Sequence, residues 1–350
     1  GNKGGYVPAN TYGLVTTFAG NSKNGSSNGQ GAGESFKMPN GIAVDKTGNL
    51  YVTDQSNNSI LKIDPAGTVT NLTLHFASPP GQFDPYGIVA DNNGYLFAAD
   101  PYSNGIWKID ALGNVTVFAG GTQGATDGQG TAASFNHPAG ITVDKAGNVY
   151  VADTDNQSIR KITPAGAVTT FVTGLSYPVG LTIDAHGTIY EVDNGGNKVN
   201  AISPSGIVTM IAGGSSAGFG GLQFITIDQE GNLYVTDAVD NLIKKITPAG
   251  AVTTIAGNIA GGANGGVGTA AGFSNPLGIA INAAGDIYVV DSNNNLVRRI
   301  LLSGYTIDKP LPPGLTFDPN TGIISGTPAS SYPSTDYTVS AFNSGGGSSF

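Results

Sequence analysis

One phrase recurs six times along this chain and restricts its fold more than any other feature. The first copy is Pro39-Asn40-Gly41-Ile42-Ala43-Val44-Asp45, then Gly48-Asn49-Leu50-Tyr51-Val52-Thr53-Asp54, then Ile60-Leu61-Lys62-Ile63. It returns as Pro85 to Ile109, Pro138 to Ile162, Pro178 to Ile202, Leu222 to Ile246 and Pro276 to Ile300. Each copy reads as a strand ending at an Asp or its equivalent, a turn with Gly, a second strand ending at Asp, and a third strand ending in Ile. Five copies continue through turns such as Pro164-Ala165-Gly166 into a fourth strand such as Val168-Thr169-Thr170-Phe171. Pro presets φ for a turn and Gly accepts φ > 0, so these are hairpins. Four short antiparallel strands every 40 to 54 residues, six times over, predict an all-β fold: a six-bladed β-propeller.

The sixth copy lacks an obvious fourth strand, and Gly13-Leu14-Val15-Thr16-Thr17-Phe18-Ala19-Gly20 is an orphan that matches Val252-Thr253-Thr254-Ile255-Ala256-Gly257. The orphan is expected to complete blade six, which would pair the two ends of the ring and hide a sheet edge. The rival for that place is Tyr305-Thr306-Ile307, because Gly304 sits at the spacing of the other hairpin glycines.

These phrases resemble the NHL repeat family over about residues 13 to 303. The resemblance implies a propeller and a broad range of activities: extracellular binding and sensing, adhesion, and metal-dependent lyase or hydrolase chemistry on related propellers. The stretch Leu311-Pro312-Pro313-Gly314-Leu315-Thr316-Phe317, continuing to Gly326-Thr327-Pro328 and Tyr337-Thr338-Val339-Ser340-Ala341, resembles the Ig-like modules of bacterial surface proteins. The expected division is an N-terminal extension 1–12, the propeller 13–303 and a partial Ig-like β-sandwich segment 304–350. The Ig-like resemblance implies an exported protein of the bacterial cell surface. The start Gly1-Asn2-Lys3-Gly4-Gly5 has no apolar signal core, so an export signal is expected to have been removed.

Composition narrows the partners. A formal net charge of −9 with only 15 Lys and Arg, scattered, disfavours nucleic acid. No apolar run reaches the roughly 18 to 20 residues that span a bilayer, and the chain has no cysteine and hence no thiolate chemistry. No cofactor is expected. The partner is a glycan, peptide or protein.

In a propeller the fourth-to-first and second-to-third connections share one face, here termed the loop face. Alternation along the inner strands is expected to turn Ala43, Val89, Thr142, Thr182, Thr226 and Ala280 toward the axial channel, and none of these can ionise. Chemistry must then come from the mouth. The candidate ligand-binding residues are Asn40, Asp84, Tyr86, Tyr102, His137, Tyr177, Gln223, Phe224 and Asn275, because aromatic faces stack on sugars or peptides and amides pair with them. Phe224 replaces the Gly of the other blades and is expected to narrow the mouth.

Two residues are atypical for the repeat. Glu191 stands where the other blades carry Val or Ala, and is expected to find a partner such as a neighbouring blade's Lys, or to be a functional carboxylate. Trp107 departs from its column. The aspartates closing the second strands, Asp54 to Asp291, are read as turn-holding groups. The long Gly-rich connections before blades one, three and six are expected to wall the loop face as a crescent. Asp127-Gly128-Gln129-Gly130 in one of them is read as a flexible turn rather than a calcium loop.

Three functions follow, the third being a purely architectural role as a rigid scaffold within a longer surface protein. The first is non-catalytic recognition on the loop face. The second is a metal-dependent lyase or hydrolase using His137, Asp84 and Glu191, since related propeller lyases hold a metal with several histidines near the axis. The histidine placement opposes the second: His137 at the mouth, His186 on the opposite face and His75 in a blade connection.

Overall fold

A computed structural model describes residues 6–7, 13–25, 29–30, 35–76, 83–214, 217–307, 309–317, 322–331, 333, 335–343 and 346–349. The start Gly1 to Gly5 and the final Phe350 lie outside the described residues.

Six antiparallel sheets form the propeller. Their inner strands are Pro39–Val44, Ile88–Ala90, Pro138–Val143, Pro178–Ile183, Leu222–Ile227 and Pro276–Ile281, and successive inner strands contact one another around a closed circle. Blade six takes its outer strand from the N-terminus. Leu14–Ala19 pairs antiparallel with Leu296–Leu301, joining Leu14 to Leu301, Val15 to Ile300 and Ala19 to Val297. The rival strand goes elsewhere: Gly304–Ile307 pairs with Val339–Asn343, which pairs with Gly346–Ser349, and Tyr6–Val7 adds to that sheet. Leu315–Phe317 and Ile324–Gly326 form a separate hairpin.

Close approach of the inner strands explains the repeated glycine. A Cβ at Gly41 would run into the carbonyl oxygen of Tyr86 in blade two, and one at Gly180 into that of Gln223 in blade five.

The sheets stand radially, so alternate side chains of an inner strand face the two neighbouring blades rather than the channel. This corrects the expected lining. Ala43 packs with Ile60, Ile88 and Ala98 between blades one and two, and Ala280 packs with Ile42 and Val52 between blades six and one.

The long connections also run differently from the expected crescent. They descend along the outer strand of the blade they precede, adding a short fifth strand: Gly29–Gln30 on blade one, Gly128–Gln129 on blade three and Gly266–Val267 on blade six, with His75–Phe76 doing so in parallel on blade two. Burial pulls them there, since Phe36, Phe135 and Phe273 at their ends are fully buried. The Asp127 turn is anchored rather than free, because Asp127 Oδ1 accepts from Arg160 Nη2 at 2.6 Å and Thr170 Oγ1 at 3.0 Å. Blades four and five have short connections and four strands each. Val208 of blade four is consequently 40% exposed, whereas its counterpart Val168 in blade three is 2% exposed.

The six second-strand aspartates are fully buried and tie each blade's incoming connection to its sheet. Lys37, Asn136 and Ser274 donate their backbone N–H groups to Asp54, Asp153 and Asp291, each at 2.7 Å. A cation completes most of these sites. Arg160 bonds Asp153 at 2.8 Å, Arg298 bonds Asp291 at 2.9 Å, and Lys244 bonds Asp237 at 3.1 Å. Trp107 does the same in blade two, its Nε1–H donating to Asp100 Oδ2 at 3.2 Å, so this atypical residue is a structural substitute for the Arg.

Candidate functional site

The residues just before each inner strand are placed by the preceding blade. Met38, His137 and Asn275 all adopt left-handed backbone, with φ of 52°, 59° and 54°. Their N–H groups donate to Asn295, Asn104 and Asn241 Oδ1 at 3.0, 2.9 and 2.9 Å. The slot suits Asn, which tolerates this conformation better than other L-residues. Met38→Asn is therefore expected to raise unfolding stability by about 0.5–1 kcal/mol in a denaturant titration; a loss would contradict the strain reading.

At the mouth, two groups of candidate residues come together. Asn40, nearly fully buried, donates from Nδ2 to Gln55 Oε1, and Gln55 Nε2 donates to Asp84 Oδ2 at 3.3 Å. The Asp84 backbone N–H donates to Asp100 Oδ2 at 3.0 Å, while Asp84 Oδ1 is buried without a partner. Burial holds the Asp84 carboxyl above the usual carboxylate range, with the bond from Gln55 opposing and the nearby Asp100 adding to the rise.

The second group crosses the axis. Blades two and five are diametrically opposite, yet Tyr86 and Phe224 stack at 5.5 Å between ring centroids with 29° between planes. Phe224 therefore meets Tyr86 across the axis of the ring. Burial, with Tyr177 nearby, pushes the Tyr86 hydroxyl up to about 12. Tyr177 near this pair is exposed, its hydroxyl also raised by burial and by Asp155. Asp155 Oδ2 lies 3.9 Å from His137 Nδ1, an ion pair when the imidazole is protonated.

Other candidates stand apart. Tyr102 is 64% exposed at the tip of its turn, where its N–H donates to Asp100 Oδ1 at 3.0 Å. Gln223 is partly exposed on the inner strand of blade five, and Asn275 is held by Asn241 as described. Sequence reasoning missed Gln55 and Asp155. Both sit in second-to-third-strand turns, where the blades differ, and reading that column of the repeat would have found them.

Glu191 is fully buried in the second strand of blade four. Its partner is Asn200 of its own blade, Nδ2 to Oε2 at 2.8 Å, and not a neighbouring Lys. The nearby Lys198 is paired with Asp193 at 3.4 Å. Burial pushes the Glu191 carboxyl up to about 8, with the bond to Asn200 opposing and Asp193 adding to the rise. Its Oε1 has no partner.

The profile of the virginiamycin B lyase family matches residues 22–212, more than half of the chain. The chain belongs to the virginiamycin B lyase family. The NHL repeat profile matches residues 273–300 and the He_PIG Ig-domain profile residues 299–350. No curated protein matches the chain. Among solved structures, virginiamycin B lyase from Staphylococcus aureus is 22% identical over 75% of this chain and 79% of that one, with a TM-score of 0.54. An auxiliary nutrient binding protein from Bacteroides ovatus is 18% identical over 83% and 77%, with a TM-score of 0.65. A gluconolactonase from Xanthomonas campestris is 14% identical over 84% and 93%, with a TM-score of 0.62. These likenesses are likenesses of fold. Enzymes and binding proteins of this family's architecture therefore share one scaffold.

The donors present do not fit a histidine-held metal centre of the kind that related propeller lyases imply. His75 lies on the outer edge of blade two, His137 on the loop face and His186 on the opposite face. Among the described residues no three His, Cys, Asp or Glu side chains are grouped so that they could hold a metal ion. No helix among them is long and apolar enough to cross a membrane.

Proposed function

We propose that this protein is a non-catalytic recognition protein of the bacterial cell surface that binds a glycan, peptide or protein on its loop face. The observation carrying this reading is the Tyr86–Phe224 stack, which sets two aromatic rings face to face across the axis of the ring. Around it stand partly or fully exposed Met38, Tyr102, Tyr177 and Val239, aromatic and apolar groups that suit stacking and contact rather than proton transfer. The nutrient binding proteins among the structural relatives support a binding role, and the Ig-like segment supports the location.

Glycan and peptide arrays probed with the protein test this reading. Tyr177→Ala and Tyr102→Ala are each expected to weaken the binding found there about tenfold. Undiminished binding in both variants would count against the loop face as the site.

The second reading is lyase chemistry, favoured by the family membership and by the His137–Asp155 pair. One structural relative is a catalytically inactive histidine-to-alanine virginiamycin B lyase with quinupristin. Incubating this protein with quinupristin and a divalent ion separates the two readings. Turnover that His137→Ala abolishes would replace recognition by catalysis.

A further inference from the structure

The way the ring closes leaves a cavity on the face opposite the mouth. In four blades the turn between the third and outer strands carries a proline that lies over the glycine of the same blade's first turn. Pro65, Pro164, Pro204 and Pro248 come within 3.4 to 3.5 Å of where a Cβ would stand on Gly48, Gly147, Gly187 and Gly231. Blade two has Ala111 in the proline's place, and the same point on its Gly94 is open.

Blade six lacks the whole turn. Its outer strand comes from the N-terminus, and the chain leaves after Leu301. Among the described residues nothing lies within 4 Å of the corresponding point on Gly285. The resulting space is about 760 Å³ and reaches across the first turns of blades four, five and six, a volume in the range of small-molecule sites.

Its walls differ in chemistry. Ile183, Ile227 and Ile281, the last residues of three consecutive inner strands, supply apolar surface, and Leu302 supplies more at the seam. The polar lining is predominantly acidic: Asp184, Asp228, Glu230 and Asp286 against Lys245. Asp286 is already paired with Arg299 at 2.6 Å, and Asp184 Oδ2 lies 4.0 Å from His186 Nδ1 on the same rim, an ion pair when that imidazole is protonated; Asp228 and Glu230 have no cation within ion-pair distance among the described residues, and Lys245 is the one ammonium of the lining. Asp184 and Asp228 are held in position, each accepting two backbone N–H bonds of its own turn at 2.8 to 2.9 Å. Their charge is pre-placed, so a cation entering the cavity would meet it without reorganisation.

We propose that this seam cavity binds a small organic cation with an apolar ring: the ring occupies the space that a turn proline fills in other blades, against Leu302, and the ammonium faces Asp184, Asp228 and Glu230. The site is independent of the loop face.

Three probes share one ring and differ in charge: cyclohexylmethylamine, cyclohexylmethanol and cyclohexanecarboxylate. Their binding is read by chemical-shift titration of the full chain at low salt. The amine is expected to bind about fivefold more tightly than the alcohol, with the carboxylate weakest, and the preference should shrink as salt screens it. Glu230→Gln should reduce the preference for the amine. Leu302→Trp should block the space, and Ser303→Trp supplies the same block from an exposed position should Leu302→Trp disturb the seam. Tyr177→Ala on the other face should change nothing. Equal binding of all three probes, no binding of the amine, or amine binding that survives both tryptophan variants would overturn the proposal.

Discussion

Replacing Glu191 by glutamine is expected to stabilise the protein strongly at pH 9 and hardly at all at pH 4. The carboxyl is fully buried, and its pKa is pushed up to about 8 from an ordinary value of 4.5. The folded state therefore keeps a proton through a range in which the unfolded chain has released it. Stability from this group is fully present below about pH 4.5 and is lost as pH rises through about 8. Glutamine has the same shape, can still accept from Asn200, and never ionises, so the gain grows across that window and then levels off. A shift of this size corresponds to a gain on the order of 3 kcal/mol once relaxation is allowed for. Thermal unfolding of both proteins from pH 4 to pH 9 measures it. Asp54, raised by burial to about 6, acts in the same direction, but it is common to both proteins and cancels in the comparison. Parallel pH curves for the two proteins would mean that Glu191 is solvated or paired when charged.

Arg298→Leu is expected to cost about 3–5 kcal/mol, because it leaves a buried carboxylate without its counter-charge. Arg298 is fully buried, donates to Asp291 at 2.9 Å and to the carbonyls of Gly272 and Asn264 at 3.1 and 3.0 Å, and lies over the Phe273 ring at 5.4 Å. Blade one already carries this arrangement naturally, with Leu61 opposite Val52 in the equivalent place. Asp54 there meets no cation within ion-pair distance among the described residues, and its carboxyl is raised to about 6 mainly by burial. A second change, Asp291→Asn, should recover part of the loss by removing the charge while keeping the acceptor for the Ser274 N–H. Arg298 also pairs in register with Thr17 of the closing strand, so amide exchange along Leu14–Ala19 should quicken in the single variant. A loss below about 1 kcal/mol would show that the pair contributes little beyond its packing.

Sequence alone determined the repeated strands and the six blades, and it narrowed the closing strand of blade six to two candidates, of which the structure takes Leu14–Ala19. Those features are local or repetitive: Pro and Gly set turns within four residues, alternation sets strands, and six copies of one phrase reinforce each reading. It also marked Phe224, Glu191 and Trp107 as departures from the repeat, since a substitution against a sixfold background is visible without coordinates.

Tertiary structure decided what each departure does. Trp107 replaces an arginine as donor to Asp100, Glu191 finds Asn200 and no cation, and Phe224 meets Tyr86 from the far side of the ring. The radial stance of the sheets turned the inner-strand side chains toward neighbouring blades, and burial of Phe36, Phe135 and Phe273 carried the long connections down the outer strands. The seam cavity is lined by turns of three blades and by Leu302, where the chain leaves blade six, residues that the sequence holds far apart. These outcomes depend on residues far apart in the chain being brought within a few ångströms by ring closure, and no local pattern of side chains encodes that distance.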